Sequence, residues 1–173
     1  MIFVVIPVHN RLSKTIKCLN SLKLQVTVKD LSIIIVNDGS TDNTQDYISK
    51  NFPNVKILNG NGSLFWGGAI RMGIDYALSK KKKYDWVLIL NNDVQLLPNT
   101  INKLVTISVK NKRKSLVIPI TLNVKDMKTV IKSGTVIKSW FFNITSHIYN
   151  GKKIDEIRSL EPIEVDICTG RCV

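Results

Sequence analysis

Short apolar, β-branched runs alternate along the chain with longer stretches whose apolar residues recur every three or four positions. The first run, IFVVIPV (residues 2–8), has no polar alternation, as expected of a strand buried on both faces of a sheet. In LSKTIKCLNSLKLQ (12–25), Leu12, Ile16, Leu19 and Leu22 fall at helical spacing, with Ser13 as an early cap residue. LSIIIVN (31–37) is again continuously apolar and ends in DGSTDNT, dense in turn and N-cap residues. A helix over DNTQDYISKNF (42–52) stops at Pro53, and VKILN (55–59) follows as a third strand. NGNGSLFWGG (59–68) reads as a glycine-rich loop and AIRMGIDYALS (69–79) as the next helix. YDWVLILNNDV (84–94) is a fourth strand with a polar end. Pro98 starts a helix over NTINKLVTISVKN (99–111), and SLVIPITL (115–122) reads as a fifth strand.

Repeated strand-then-helix units predict an α/β fold with a mostly parallel sheet covered by helices on both faces. From about Val124 the rhythm breaks into short alternating pieces around Gly134 and Gly151, as in β-hairpins, before a late strand that runs into a turn. The organisation expected is one domain over 1–173: a βα core over 1–123 and a small β-rich portion over 124–173. No internal repeat or low-complexity tract interrupts it.

Composition narrows the classes. With 173 residues, 44% hydrophobic and 22% charged, the chain can bury a core and is neither disordered nor fibrous. No apolar run reaches the roughly 20 residues needed to cross a bilayer, and MIFVVIPVHN lacks the basic start of a signal peptide. The compartment expected is the cytoplasm. Cys18, Cys168 and Cys172 are too few and scattered for a disulfide framework, and free thiols are expected rather than a metal set. The net charge of +12 points to anionic partners: nucleic acid, a lipid surface or a phosphate-rich ligand. The run Lys80 to Lys83 reads as a solvated helix end complementing the helix dipole, with peripheral contact to anionic headgroups as the alternative. Aromatic residues, at 7%, do not interleave with a basic stripe, which argues against single-strand nucleic-acid binding.

In open α/β sheets, ligands bind beyond the carboxyl ends of the strands, near a topological switch point. Those ends carry Pro7-Val8-His9-Asn10-Arg11, Asn37-Asp38-Gly39-Ser40-Thr41-Asp42, the loop from Gly60 to Gly68, and Asn91-Asn92-Asp93. Each group has two readings. Asp42 shapes a turn and caps a helix. Asp38 either does the same or accepts from a base N–H. Asp93 is a turn residue or a hard oxygen ligand for Mg²⁺ or Mn²⁺. Gly60, Gly62, Gly67 and Gly68 make a plain loop or let backbone approach a diphosphate. Arg71, at the expected start of a helix, is a surface arginine or an anion ligand. Phe65 and Trp66 pack over the loop or wall a sugar pocket.

Taken together, these segments resemble the family 2 glycosyltransferases of the GT-A fold. VVIPVHNR resembles their first-strand signature, and VNDGSTDNT, the most specific match, their second. WVLILNNDV resembles the strand ending in the metal-binding Asp-x-Asp-type motif. GNGSLFWGGAIRMGIDYAL resembles the loop and helix of rhamnosyltransferase-like members, and VDICTGRCV the segment preceding the acceptor region.

The resemblance covers nearly the whole chain in the right order. It implies a base and nucleoside pocket of Pro7, His9 and Asp38, with Val8, Asn10, Arg11 and Gly39 among the residues that bind the UDP-, dTDP- or GDP-linked sugar. It implies diphosphate contacts from Gly67, Gly68 and Arg71, with Asn92 near the ribose and Asn91 among the residues that bind the nucleotide sugar. Asp93 would carry Mn²⁺ or Mg²⁺. His9 replaces the commoner aromatic, Arg71 replaces Asn, and Asn-Asn-Asp leaves one acidic ligand in the motif. The reaction implied is inverting transfer to a saccharide or lipid-linked acceptor in surface polysaccharide assembly, with the cation as Lewis acid and a carboxylate as general base. That base is expected beyond Val173, with Asp166 structural. A donor-binding fragment without turnover is therefore the rival reading. A sugar nucleotidylyltransferase would want a basic glycine loop after the first strand, where PVHNRLSK stands.

Overall fold

The computed structural model describes residues 1–25, 30–80, 82, 85–112, 115–157 and 161–168. The chain forms two compact units, Met1–Asn102 and Lys103–Arg171. The boundary falls in the first turn of a helix.

The first unit runs β1 (Ile2–Val8), α1 (Leu12–Lys23), β2 (Leu31–Asn37), α2 (Thr44–Asn51), β3 (Lys56–Asn59), α3 (Phe65–Lys80), β4 (Trp86–Ile89) and the start of α4 (Thr100–Lys110). Its four strands make one parallel sheet in the order β3-β2-β1-β4. All seven residues of β1 are buried, which accounts for the unbroken apolar run. Successive side chains of a strand point to opposite faces. On one face Phe3 and Val5 pack with Ile34 of β2 and with Ile70 and Ala77 of α3. On the other, Val4 and Ile6 are just as buried, so both faces are covered. α3 lies close to the sheet because Gly73 has no side chain: a Cβ there would sit 2.2 Å from Val5 Cγ1.

Among the described residues the parallel sheet has four strands. The fifth strand expected over 115–122 shrinks to β5 (Thr121–Leu122), which pairs antiparallel with β6 (Val130–Lys132). Pro119 has no N–H for a ladder and restricts the residue before it, so the apolar pattern does not extend into a paired strand.

The second unit also holds a hairpin of β7 (Thr135–Ser139) and β8 (Ile144–His147), and a short 3₁₀ turn over Ile154–Glu156. The hairpins expected after Val124 are thus present. Asp166 donates its N–H to the Thr135 carbonyl and accepts the Ile137 N–H, pinning the late segment beside β7. Gly134 allows that approach, since a Cβ there would meet Val165 at 2.3 Å. Thr169 and Gly170 of the expected turn lie outside the described residues, as do Lys81 and Lys83 of the lysine run.

Candidate functional site

The strand order places the switch point. The chain moves from β1 outward through β2 to β3, then returns across β1 to β4. The carboxyl ends of β2, β1 and β4 are therefore side by side, and the crevice favoured for ligands opens between β1 and β4.

The loops after β1 and β2 are stitched together by side chains. The Asn10 N–H donates to Ser40 Oγ at 2.8 Å, and Asn10 Oδ1 accepts the Thr41 N–H at 2.8 Å. Asp42 reaches across to accept the Leu12 N–H at 2.8 Å and also accepts the Thr44 hydroxyl. Asp42 thus serves the starts of both α1, through the Leu12 N–H, and α2, through Thr44, and Ser13 does not cap α1. These bonds hold Asn10 and Arg11 in consecutive left-handed conformations, φ 59° and 63°, where side chains are uncommon. Partial burial works against the Asp42 charge. The Thr44 hydroxyl and the Leu12 and Thr44 backbone N–H groups outweigh it, and the pKa sits below the ordinary 3.8.

His9 is exposed at the end of β1, and its Nδ1 lies 2.5 Å from the Asp38 carbonyl. A carbonyl only accepts, so Nδ1 is the donor in this contact. Pro7 and Val8 are buried in β1, in register with Val36 and Asn37.

Asp38 is 5% exposed, and its carboxylate is largely spoken for. Oδ1 accepts the Gly62 N–H at 2.7 Å; Oδ2 accepts Leu64 and Phe65 N–H at 3.0 and 3.1 Å. Of the roughly four acceptor positions of a carboxylate, one on Oδ1 is left. The bonds to Leu64 and Phe65 satisfy donors that a helix start leaves orphaned, and the negative charge suits the N-terminal end of the dipole. They explain why α3 begins at Phe65, four residues before the start expected from sequence. Gly67 and Gly68 accordingly lie in the first turn of α3 rather than in a loop, and Arg71 in its second turn. Gly39 and Gly60 serve the same approach: their added Cβ atoms would sit 2.8 Å from Gly62 Cα and 2.5 Å from Asp38 Oδ1. Gly67 faces open space.

Arg71 forms an ion pair with Asp75, 2.9 Å apart on the exposed surface of α3. Exposed i,i+4 pairs contribute only about 0.3–0.5 kcal/mol, so a ligand anion can compete for the guanidinium.

After β4, two of the three motif residues are committed. Asn92 is buried and donates to Thr15 Oγ1 at 3.0 Å. Asn91 Oδ1 accepts the Trp66 indole N–H at 2.8 Å, tying the first turn of α3 to the β4 end. Asp93 is exposed, and among the described residues nothing holds its carboxylate. The Trp66–Asn91 link and the Thr15 partner of Asn92 were not foreseen. The one signal for them was a tryptophan beside Gly67 and Gly68.

Among the described residues, no three or more His, Cys, Asp or Glu side chains gather as a metal set. An all-protein cage is not what Mg²⁺ or Mn²⁺ requires, since one or two carboxylates plus substrate phosphates suffice. A single uncommitted Asp93 carboxylate fits a cation shared with a diphosphate.

The sequence matches Glycosyl transferase family 2 across residues 3–172. It is 30% identical over 155 residues to an uncharacterised glycosyltransferase of Mycoplasma pneumoniae, the MG060 homolog, covering 85% of this chain and 48% of that protein. It is 33% identical over 92 residues to the N-acetylglucosaminyl-diphospho-decaprenol L-rhamnosyltransferase of Mycobacterium tuberculosis, covering 50% of this chain and 30% of that one. The chain thus spans about half or less of the length of these relatives. In fold it resembles residues 1–349 of S. aureus TarS solved with UDP-GlcNAc, with TM-score 0.55, 22% identity, and 64% of this chain and 32% of that one covered. It likewise resembles the Pyrobaculum calidifontis mannosyltransferase PcManGT solved with GDP-Man and Mn²⁺, with TM-score 0.52, 15% identity, and 73% and 36% covered. With the parallel sheet, its flanking helices and a match over nearly its full length, the chain belongs to glycosyltransferase family 2 and has the GT-A fold.

Proposed function

We propose that the carboxyl ends of β1, β2 and β4 bind a nucleoside-diphosphate sugar together with Mn²⁺ or Mg²⁺. In this reading Asp93 supplies the protein's ligand to the cation, and the two phosphates supply further oxygens. The single observation that carries it is the contrast at the motif: Asn91 and Asn92 are held by Trp66 and Thr15, while the Asp93 carboxylate is exposed and, among the described residues, uncommitted. Pro7, Val8, His9, Asn10, Arg11, Asp38 and Gly39 form the nucleoside side, with the remaining Oδ1 position of Asp38 available to a base N–H. Asn92 borders the ribose. Gly67, Gly68 and Arg71 lie on the diphosphate side, where the open backbone at Gly67 admits close approach.

The reaction this serves is sugar transfer with inversion to a saccharide or lipid-linked acceptor in cell-surface polysaccharide synthesis, at the cytoplasmic face of a membrane. A cation held by Asp93 would neutralise charge on the departing diphosphate. The nucleotide ligands of the two structural neighbours and the activity of the rhamnosyltransferase relative support this class. Titration calorimetry with UDP, dTDP and GDP, each with and without Mn²⁺, tests it. One of the three binds, more tightly with Mn²⁺, and Asp93→Ala removes the Mn²⁺ enhancement. Heat-silent titrations with all three overturn the reading.

A further inference from the structure

The hairpin of β7 and β8 ends in three consecutive aromatic residues that the second unit does not cover. Trp140, Phe141 and Phe142 are 82%, 89% and 72% exposed, and Ile144 beside them is 49% exposed. Together the three rings present on the order of 500 Å² of largely apolar surface, too much for a scattered surface residue. The turn is built, not loose. Phe141 and Phe142 stack edge to face, with centroids 4.9 Å apart and planes at 88°. The Phe142 N–H donates to Ser139 Oγ, and Asn143 takes the left-handed conformation that closes the turn, φ 51°. Rings fixed in this way lose little freedom when buried against something else.

The charge around the tip says what that is. The hairpin itself, residues 135–147, contains no Asp or Glu and carries Lys138. Lys138 is exposed, two residues from Trp140, which is about 7 Å along a strand. With the rings inserted, its ammonium lies at headgroup depth. A tryptophan followed by two phenylalanines and backed by a lysine is a composition that seats in the interface of an anionic bilayer.

We infer that the β7–β8 tip is a membrane-docking wedge: Trp140, Phe141 and Phe142 enter the interfacial layer of an anionic phospholipid surface, and Lys138 binds the headgroups. This goes beyond donor binding and does not depend on it, because none of these residues belongs to the proposed nucleotide site.

Flotation of the 173-residue chain with vesicles tests the inference, using phosphatidylcholine alone or with about 30% phosphatidylglycerol. Binding to the anionic vesicles and little to the neutral ones is expected. Trp140→Ser/Phe141→Ser/Phe142→Ser lowers the partition coefficient at least tenfold, and Lys138→Gln lowers it roughly fivefold. Both variants keep the far-UV spectrum, Tm and nucleotide titration of the parent. A measurement free of folding effects uses brominated lipid, which quenches tryptophan fluorescence in the parent and much less in Trp140→Phe. No binding of the parent to anionic vesicles overturns the inference, and so does unchanged partition of the triple variant. A parent that instead self-associates through the tip, with light scattering showing dimers that the triple variant loses, overturns it in favour of a second copy of the chain.

Discussion

The ends of β2 and β4 each carry a polar residue followed by an aspartate, and the two aspartates live in opposite environments. Asp38 is buried and accepts three backbone N–H groups from the loop ahead of α3. Asp93 is exposed, and its neighbours rather than the aspartate itself are held in place. A carboxylate whose acceptor positions are filled by the fold serves mainly to set the shape of a site, whereas one left uncommitted is available to a cation. Two similar motifs thus divide between organising the site and supplying its chemistry.

The largest effect that can break this comparison is on stability. Asp38→Ala leaves buried N–H groups without an acceptor at the start of α3, and a loss of about 3 kcal/mol is expected in urea denaturation. Asp38→Asn restores part of it, because the amide oxygen can still accept from Leu64 and Phe65 while the amide nitrogen cannot accept the Gly62 N–H. Asp93→Ala is the mirror image: stability changes by less than about 0.5 kcal/mol, while nucleotide affinity in Mn²⁺ falls at least tenfold by calorimetry. If Asp93→Ala unfolds the protein, or Asp38→Ala leaves Tm unmoved, the division of roles is wrong.

A smaller effect sharpens it. Trp66→Phe keeps a ring on α3 and removes the indole donor to Asn91, so the end of β4 is held less firmly. A few-fold loss of Mn²⁺-dependent affinity is expected, with Tm lowered by no more than a few degrees, since a net hydrogen bond contributes about 1 kcal/mol.

The smallest effect is in acid. Asp126 accepts the Thr129 hydroxyl and the Thr129 and Lys128 N–H groups, which lower its pKa from the ordinary 3.8 to about 2. Asp42 is lowered in the same direction. A carboxyl depressed on folding stabilises fully above its unfolded value, and that contribution disappears as pH falls through the folded one. Both contributions are intact at pH 5 and fade below the unfolded value of about 3.8. Carboxyl chemical shifts followed from pH 5 to pH 1.5 check this, with Asp126 titrating near 2.

The β-strands at the centre were legible because burial on both faces demands continuous apolar, β-branched runs. β2 has the bounds its sequence predicts, and β1 matches IFVVIPV residue for residue. The alternation of strand and helix then implied the parallel sheet. The start of α3 was not legible. It depends on Asp38, 27 positions earlier in the chain, whose carboxylate supplies the missing acceptor for Phe65. The expected fifth strand failed for a related reason: strand pairing depends on a partner, and residues 121–122 found β6 rather than the parallel sheet.

The chain's own order of residues therefore determined the layered α/β class, the family and the strand ends where polar groups collect, because local periodicity and motif spacing encode them. Tertiary structure alone decided which of those groups are consumed by the fold and which are left open. A hydrogen-bond acceptor is assigned by whatever donor comes within about 3 Å of it, and that distance is set by packing between segments far apart in sequence. Asp38 and Asp93 look alike on the page of letters; only the approach of Gly62, Leu64 and Phe65 to one of them makes them different.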